Sequence, residues 1–353
     1  MKLEKLRTYP AVLLMLAGLA TLNTGCFKMA VPEERALPVM LWPLPPEIPR
    51  ISFVNALSRP EDLNIANGPV KRFLRYLAGR AETPLANPHG LAVDARGRLF
   101  VVDHFLKKVH VYDPKAKRYF LFPEQGAALV SPIDIAIDNK RGRLYVSDSA
   151  EAVVRVYTLD GARPAGEIRG GGMERPTGIA VNEATDELLV VDTLNSVILR
   201  FSLADHGLKG IIGRAGQETG RFHSPTHLSV SPGGQIFVTD SLNFRVQVLA
   251  ADGTFIRTFG AAGDSPGHFS RPKGVAVDSD GNIYVVDALF DNVQVFDAMG
   301  RLLMSFGSPG KAYGEFWLPS GIFIDSRDRI YVSDSYNKRV QVFQYLKEGE
   351  LPQ

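Results

Sequence analysis

Two histidines, one aspartate and one lysine, His89, Asp134, His227 and Lys273, interrupt a pattern that the rest of the chain keeps. Imidazole nitrogens and a carboxylate can together ligate zinc or calcium, and imidazole beside an ammonium can hold an anion. Each of the four stands one or two residues after a proline, where the chain repeatedly opens a segment with Pro-x-Gly. At the second place the series runs His89, Ile133, Thr177, Thr226, Lys273 and Ser320. At the third place four segments keep Gly, while Asp134 and His227 replace it. If these openings converge, the ionisable side chains line one mouth, where they could bind a metal or an anion. A solvated polar mouth with no ligand is the plainer alternative.

The elements that would bring them together follow from the repeat itself. The prolines are Pro88, Pro132, Pro176, Pro225, Pro272 and Pro319, and each opening leads through an apolar strand, a turn and a second strand to a closing aspartate. Those aspartates are Asp103, Asp148, Asp192, Asp240, Asp287 and Asp334, and both series step by 44 to 49 residues. Such a period with strands alone predicts an all-β, six-bladed propeller. In the fifth copy the four strands are expected at Gly274 to Asp278, Asn282 to Asp287, Val293 to Phe296 and Leu302 to Phe306, with Asp280-Gly281 as the first hairpin turn. Ala92, Ala136, Ala180, Ser229 and Ala276 suit crowded inner strands; Phe323 in the sixth copy either plugs the channel or fills a gap. The sixth copy ends after Val340 to Phe343 without a fourth strand, and Ile51 to Leu57 alternates like a strand, so the latter is expected to close the ring and remove an open edge.

An aspartate in every copy is better explained by a local backbone role than by a metal ring. A carboxylate there can accept N–H bonds in the tight connection that follows. Asp94, Asp138, Asp278 and Asp325 read as turn residues in the same way. Gly263-Asp264-Ser265-Pro266-Gly267 spells a hydrolase-like G-x-S-x-G, but it falls in a linker and not at a strand-to-helix turn.

Residues 1–25 combine Lys2, Lys5 and Arg7 with an apolar run from Ala11 to Leu22, the layout of an export signal. The chain's single cysteine, Cys26, follows directly, and the segment resembles a bacterial lipobox with Leu22 one place early. That resemblance implies lipid attachment at Cys26, export, and a membrane anchor, with the outer membrane favoured because Phe27 stands where a retention Asp would. Residues 26–50 are rich in proline and read as a tether. The propeller is then expected over 51–346, with a short basic helix over 69–80 and a tail over 347–353. Without the signal, 37 basic and 37 acidic residues remain, which argues against nucleic acid as a partner.

The phrases VTDSLNFRVQVL from Val238, VVDALFDNVQVF from Val285 and VSDSYNKRVQVF from Val332 closely resemble NHL repeats. So do the linkers Gly216-x-x-x-Gly220-x-Phe222, Gly263-x-x-x-Gly267-x-Phe269 and Gly310-x-x-x-Gly314-x-Phe316. The resemblance spans about four-fifths of the chain, with the first three copies looser, and implies the propeller fold; the function it implies ranges from protein binding to RNA binding to enzymes. Pro88-His89-Gly90-Leu91 is also similar to a strand start in peptidyl-amidoglycolate lyases, which hold zinc by axial histidines. Here only His89 and His227 stand at openings, while His104, His110, His206, His223 and His268 fall elsewhere. Related lactonases hold calcium with acids and amides, for which Asp134 is almost the only candidate.

Two places after each closing aspartate lie Phe105, Ala150, Leu194, Leu242, Leu289 and Tyr336, apolar in every copy and expected mostly to tuck against the next blade. Phe105, Leu106, Phe244, Phe290 and Tyr336 exceed what packing needs and suggest a protein-binding rim. The sequence thus favours an exported, non-catalytic propeller that needs no cofactor and binds a protein or ligand of the cell envelope over one face, through His89, Asp134, His227, Lys273, Phe105, Phe244, Phe290 and Tyr336. The alternative is a lyase- or lactonase-like enzyme with calcium or zinc at His89, Asp134 and His227.

Overall fold

The computed structural model describes residues 38–44, 46–65, 83–123 and 128–347. The export signal, Cys26 and the helix expected over 69–80 lie outside them. Among the described residues no helix is long and apolar enough to cross a membrane.

The described residues form six antiparallel sheets, whose inner strands are Pro88–Val93, Pro132–Asp138, Pro176–Asn182, Pro225–Val230, Pro272–Val277 and Ile322–Ile324. Each inner strand touches the next, and the last touches the first, so the ring is closed. Blades one to five each build four strands from consecutive sequence; in blade five these are Pro272–Val277, Ile283–Asp287, Asn292–Phe296 and Leu302–Phe306, within a residue or two of expectation. Alternating apolar side chains on the middle strands face the neighbouring blades and form the core between sheets. Phe100, Tyr145, Tyr284 and Phe343 are fully buried there. Phe323 is partly buried and packs against two of these inter-blade clusters, so it fills space between blades.

Blade six takes its outer strand from the other end of the chain. Strand β2 (Ile51–Leu57) pairs antiparallel with Arg339–Tyr345, Ile51 opposite Tyr345 and Leu57 opposite Val340. A further short strand, β1 (Leu41–Trp42), then pairs with the start of β2 and gives this blade five strands. Trp42 sits with its ring centroid 6.0 Å from Phe306 and 5.8 Å from Phe343. Part of the proline-rich stretch read as a tether is therefore docked on the propeller, where it shields the last edge.

Candidate functional site

The openings are shaped by a bulge. In blades one to five the pairing of inner and second strands slips just after the proline, as between Pro88 and Leu91 or Pro225 and His227. A bulge re-aims the residues it contains. At the third place of the opening, the backbone of the next blade comes too close for a side chain: a Cβ on Gly178 would lie 2.6 Å from His227 Cα, and one on Gly321 would lie 2.3 Å from the His89 carbonyl oxygen. This explains the recurrent glycine, and it makes Asp134 and His227 exceptions that require accommodation.

Asp134 finds it through the backbone. Its carboxylate accepts N–H bonds from Ile135 at 2.9 Å and from Ile179 of blade three at 3.0 Å, and it lies over Gly90 of blade one. Burial nevertheless pushes its pKa up to about 7, against the two amide bonds. Asp134 thus serves as a strap across blades, and it does not figure among the charges that act on His89 or His227.

His227 is 7% exposed, and neither ring nitrogen has a hydrogen-bond partner among the described residues. Burial, then the charges of Lys273 and His89, lower its pKa to about 3. His89 is held at about 3 by burial, Lys273 and His104, with Asp103 acting in the opposite direction. Lys273 itself is lowered to about 8 by burial and by Arg271. Near neutral pH the group is therefore two uncharged imidazoles beside an ammonium. His104, set aside in the sequence because it lies outside the openings, belongs here: its ring centroid is 5.3 Å from that of His89. The antiparallel pairing of Pro88 with Asp103 places the residue after the aspartate at the same end of the blade.

That position carries an unexpected regularity. His104, Ser149, Thr193, Ser241 and Ser335 each reach the carbonyl of the opening proline in the following blade, at Pro132, Pro176, Pro225, Pro272 and Pro88 respectively. Ala288 breaks the girdle in blade five. In blades three, four and six the same hydroxyl also pairs with the second-place side chain, Thr177, Thr226 or Ser320. An Asp followed by Ser, Thr or His in five of six copies was the available sequence signal.

The closing aspartates are structural, with a shift in detail. Their principal partners are backbone amides leading into the inner strand, such as Ala86 and Asn87 for Asp103, Val130 and Ser131 for Asp148, and Ser270 and Arg271 for Asp287. Amides in the following connection, such as Leu106, add to them. In blades four and six the Arg and Gln of the repeat converge on the same carboxylate, with Arg245 to Asp240 at 2.8 Å and Arg339 to Asp334 at 2.7 Å. The recurrent Asn, at Asn195, Asn243 and Asn337, bonds both to the aspartate and to a linker glycine carbonyl.

The turn after each aspartate also settles the rim. Four residues beyond it the backbone takes a positive φ in every blade, at Lys107, Ala152, Ser196, Phe244, Asp291 and Lys338. This tight turn puts the second residue at its tip. Phe105 is 74% exposed, and Leu194, Leu242, Leu289 and Tyr336 are each about half exposed. The expectation that most tuck against the next blade is thus overturned by turn geometry. Trp317 joins the rim, its ring 5.6 Å from Tyr336. Phe244 and Phe290 are less available: both are partly buried, and Phe244 packs into the core between blades four and five.

Among the described residues, no three His, Cys, Asp or Glu side chains group as a metal site. His89, Asp134 and His227 do not form the ligand set that a calcium or zinc enzyme would require, since Asp134 is turned to the amides of blades two and three.

The six sheets and the repeats agree with comparisons to known proteins. An NHL repeat family model matches residues 316–343, and a six-bladed β-propeller family model matches residues 221–293. The chain is a six-bladed β-propeller that carries an NHL repeat at residues 316–343. No curated protein matches it in sequence. Solved structures similar to this propeller include a Bacteroides thetaiotaomicron protein of unknown function, 16% identical with a TM-score of 0.58 over 74% of this chain and 70% of that one. An auxiliary nutrient binding protein from the same organism is 15% identical, with a TM-score of 0.58 over 74% of this chain and 69% of that chain. Virginiamycin B lyase from Staphylococcus aureus is 13% identical, with a TM-score of 0.55 over 74% of this chain and 96% of that chain. At these identities the likeness is one of fold.

Proposed function

We propose that this NHL propeller is an exported, lipid-anchored binding protein that takes a protein or ligand of the cell envelope over the face where its inner strands begin. The observation that carries the reading is the rim: five bulky apolar side chains stand exposed at turn tips around a polar mouth. Apolar groups displayed around one opening cost solubility and are characteristic of interaction surfaces. The export signal and Cys26 supply the anchor in this reading, and the neutral remainder of the chain leaves no basis for nucleic acid.

The test is position-specific cross-linking in intact cells. A photo-reactive phenylalanine analogue is placed at Leu289 or Tyr336 on the rim, and at Ile256 on an outer strand, which is also exposed. Adducts from the two rim positions and none from Ile256 are expected. Equal adducts from Ile256, or none from the rim, would count against the reading.

A further inference from the structure

His227 is the inner-strand residue that the fold accounts for least. Gly90, Gly178, Gly274 and Gly321 occupy its place in other blades, so the architecture does not need an imidazole there. Burying one with neither nitrogen bonded is unfavourable for folding. Thr239, opposite His227 in the pairing, is also buried and its hydroxyl has no partner among the described residues. The adjoining blade contributes Lys273, whose ammonium pairs with no carboxylate among the described residues, and Ala288 has removed the hydroxyl that pairs with this place in blades three, four and six. His89 lies close enough to interact with both. Blades four and five thus gather unused hydrogen-bonding capacity and one cationic group, at the point where the hydroxyl girdle is interrupted.

We propose that this corner of the channel mouth is an anion site for a carboxylate carrying an apolar body. The Lys273 ammonium pairs with the carboxylate, His227 donates a ring N–H to it, and the apolar body rests against Leu242 and Leu289 at the turn tips of the same blades. One ammonium beside neutral imidazoles matches a single negative charge; a dianion would leave charge unbalanced in a buried setting. Other ionisable groups act at a distance: His104 and Asp103 on His89, and Arg271 on Lys273. Asp103 is engaged by backbone amides and Asp134 by Ile135 and Ile179, so neither is free to occupy the ammonium.

The inference rests on the binding face proposed above, where the inner strands begin, and deepens that reading. Its test is calorimetric titration of the purified full chain with hexanoate, hexanol and inorganic phosphate, repeated on Lys273→Thr and His227→Gly. Both variants install residues that other blades already carry at the same place, and their thermal midpoints check the fold. Saturable hexanoate binding is expected, at least tenfold tighter than hexanol or phosphate, and at least tenfold weaker in each variant. Affinity should also fall above pH 8, where Lys273 loses its proton. Absence of hexanoate binding, binding that survives both substitutions, or phosphate binding more tightly than hexanoate overturns the proposal. Rim cross-links formed by a wild-type protein that binds no hexanoate would sink the anion site alone; absence of rim cross-links from the wild-type protein would sink the reading beneath it.

Discussion

Replacing His227 with glycine should flatten the acid limb of the stability curve. In the folded chain this imidazole is held at about 3, first by burial and then by Lys273 and His89, whereas an unfolded histidine titrates near 6.5. Between those values the unfolded state takes up a proton that the folded state refuses. Stability from His227 is therefore fully present above pH 6.5 and is lost as pH falls toward 3. The loss is about 2 kcal/mol at pH 5 and about 4 kcal/mol at pH 3. Asp134 acts with the opposite sign: burial raises it to about 7, so the folded state binds its proton first and gains stability as pH falls from there toward 3.8. The whole-protein curve mixes the two, which is why the difference between wild type and His227→Gly is the informative quantity. Added backbone freedom from glycine costs about 1 kcal/mol at every pH and cancels in that difference. Urea denaturation at pH 8, 6.5 and 5 should show the variant gaining about 2 kcal/mol on wild type across the range. Curves that stay parallel would refute the assignment of a buried, uncharged and unpartnered imidazole.

Gly321→Ala should destabilise by about 1 to 3 kcal/mol, because its Cβ would meet the His89 carbonyl oxygen at 2.3 Å across the blade junction; thermal denaturation reads this directly. Trp42→Ala should cost about 2 kcal/mol by removing a ring packed on Phe306 and Phe343, and hydrogen exchange over Ile51–Leu57 should speed up more than exchange in blades two and three. Cys26→Ser should move the protein from the membrane pellet to the soluble fraction on cell fractionation; unchanged pelleting would remove the lipid anchor from the account.

The repeat made the architecture legible because one phrase encodes one blade, and the missing sixth outer strand pointed to Ile51–Leu57. Leu41–Trp42 escaped notice because two apolar residues among prolines carry no period. The mouth was legible through its exceptions, since Asp134 and His227 stand where the next blade's backbone demands glycine. Their partners were not: only the fold shows Asp134 turned to the Ile179 amide while neither ring nitrogen of His227 finds a hydrogen-bond partner among the described residues. Apolarity at Leu194 and Leu289 reads as packing against the next blade, and only the bulk of Phe105 reads as display. The choice was made by a backbone property, the positive φ four residues past each aspartate, which no side-chain pattern announced. His104 was missed for a similar reason, because strand pairing and not sequence spacing brings it to His89.

The proposed function places binding where the repeat stops dictating the residue. The most direct measurement combines Lys273→Thr with His227→Gly, which returns blades four and five to residues used elsewhere in the ring, and scores rim cross-linking from Tyr336 in intact cells beside the thermal midpoint. A midpoint at or above that of wild type is expected, with the cross-linked adduct lost. An adduct of undiminished yield from a fully folded double variant would contradict it.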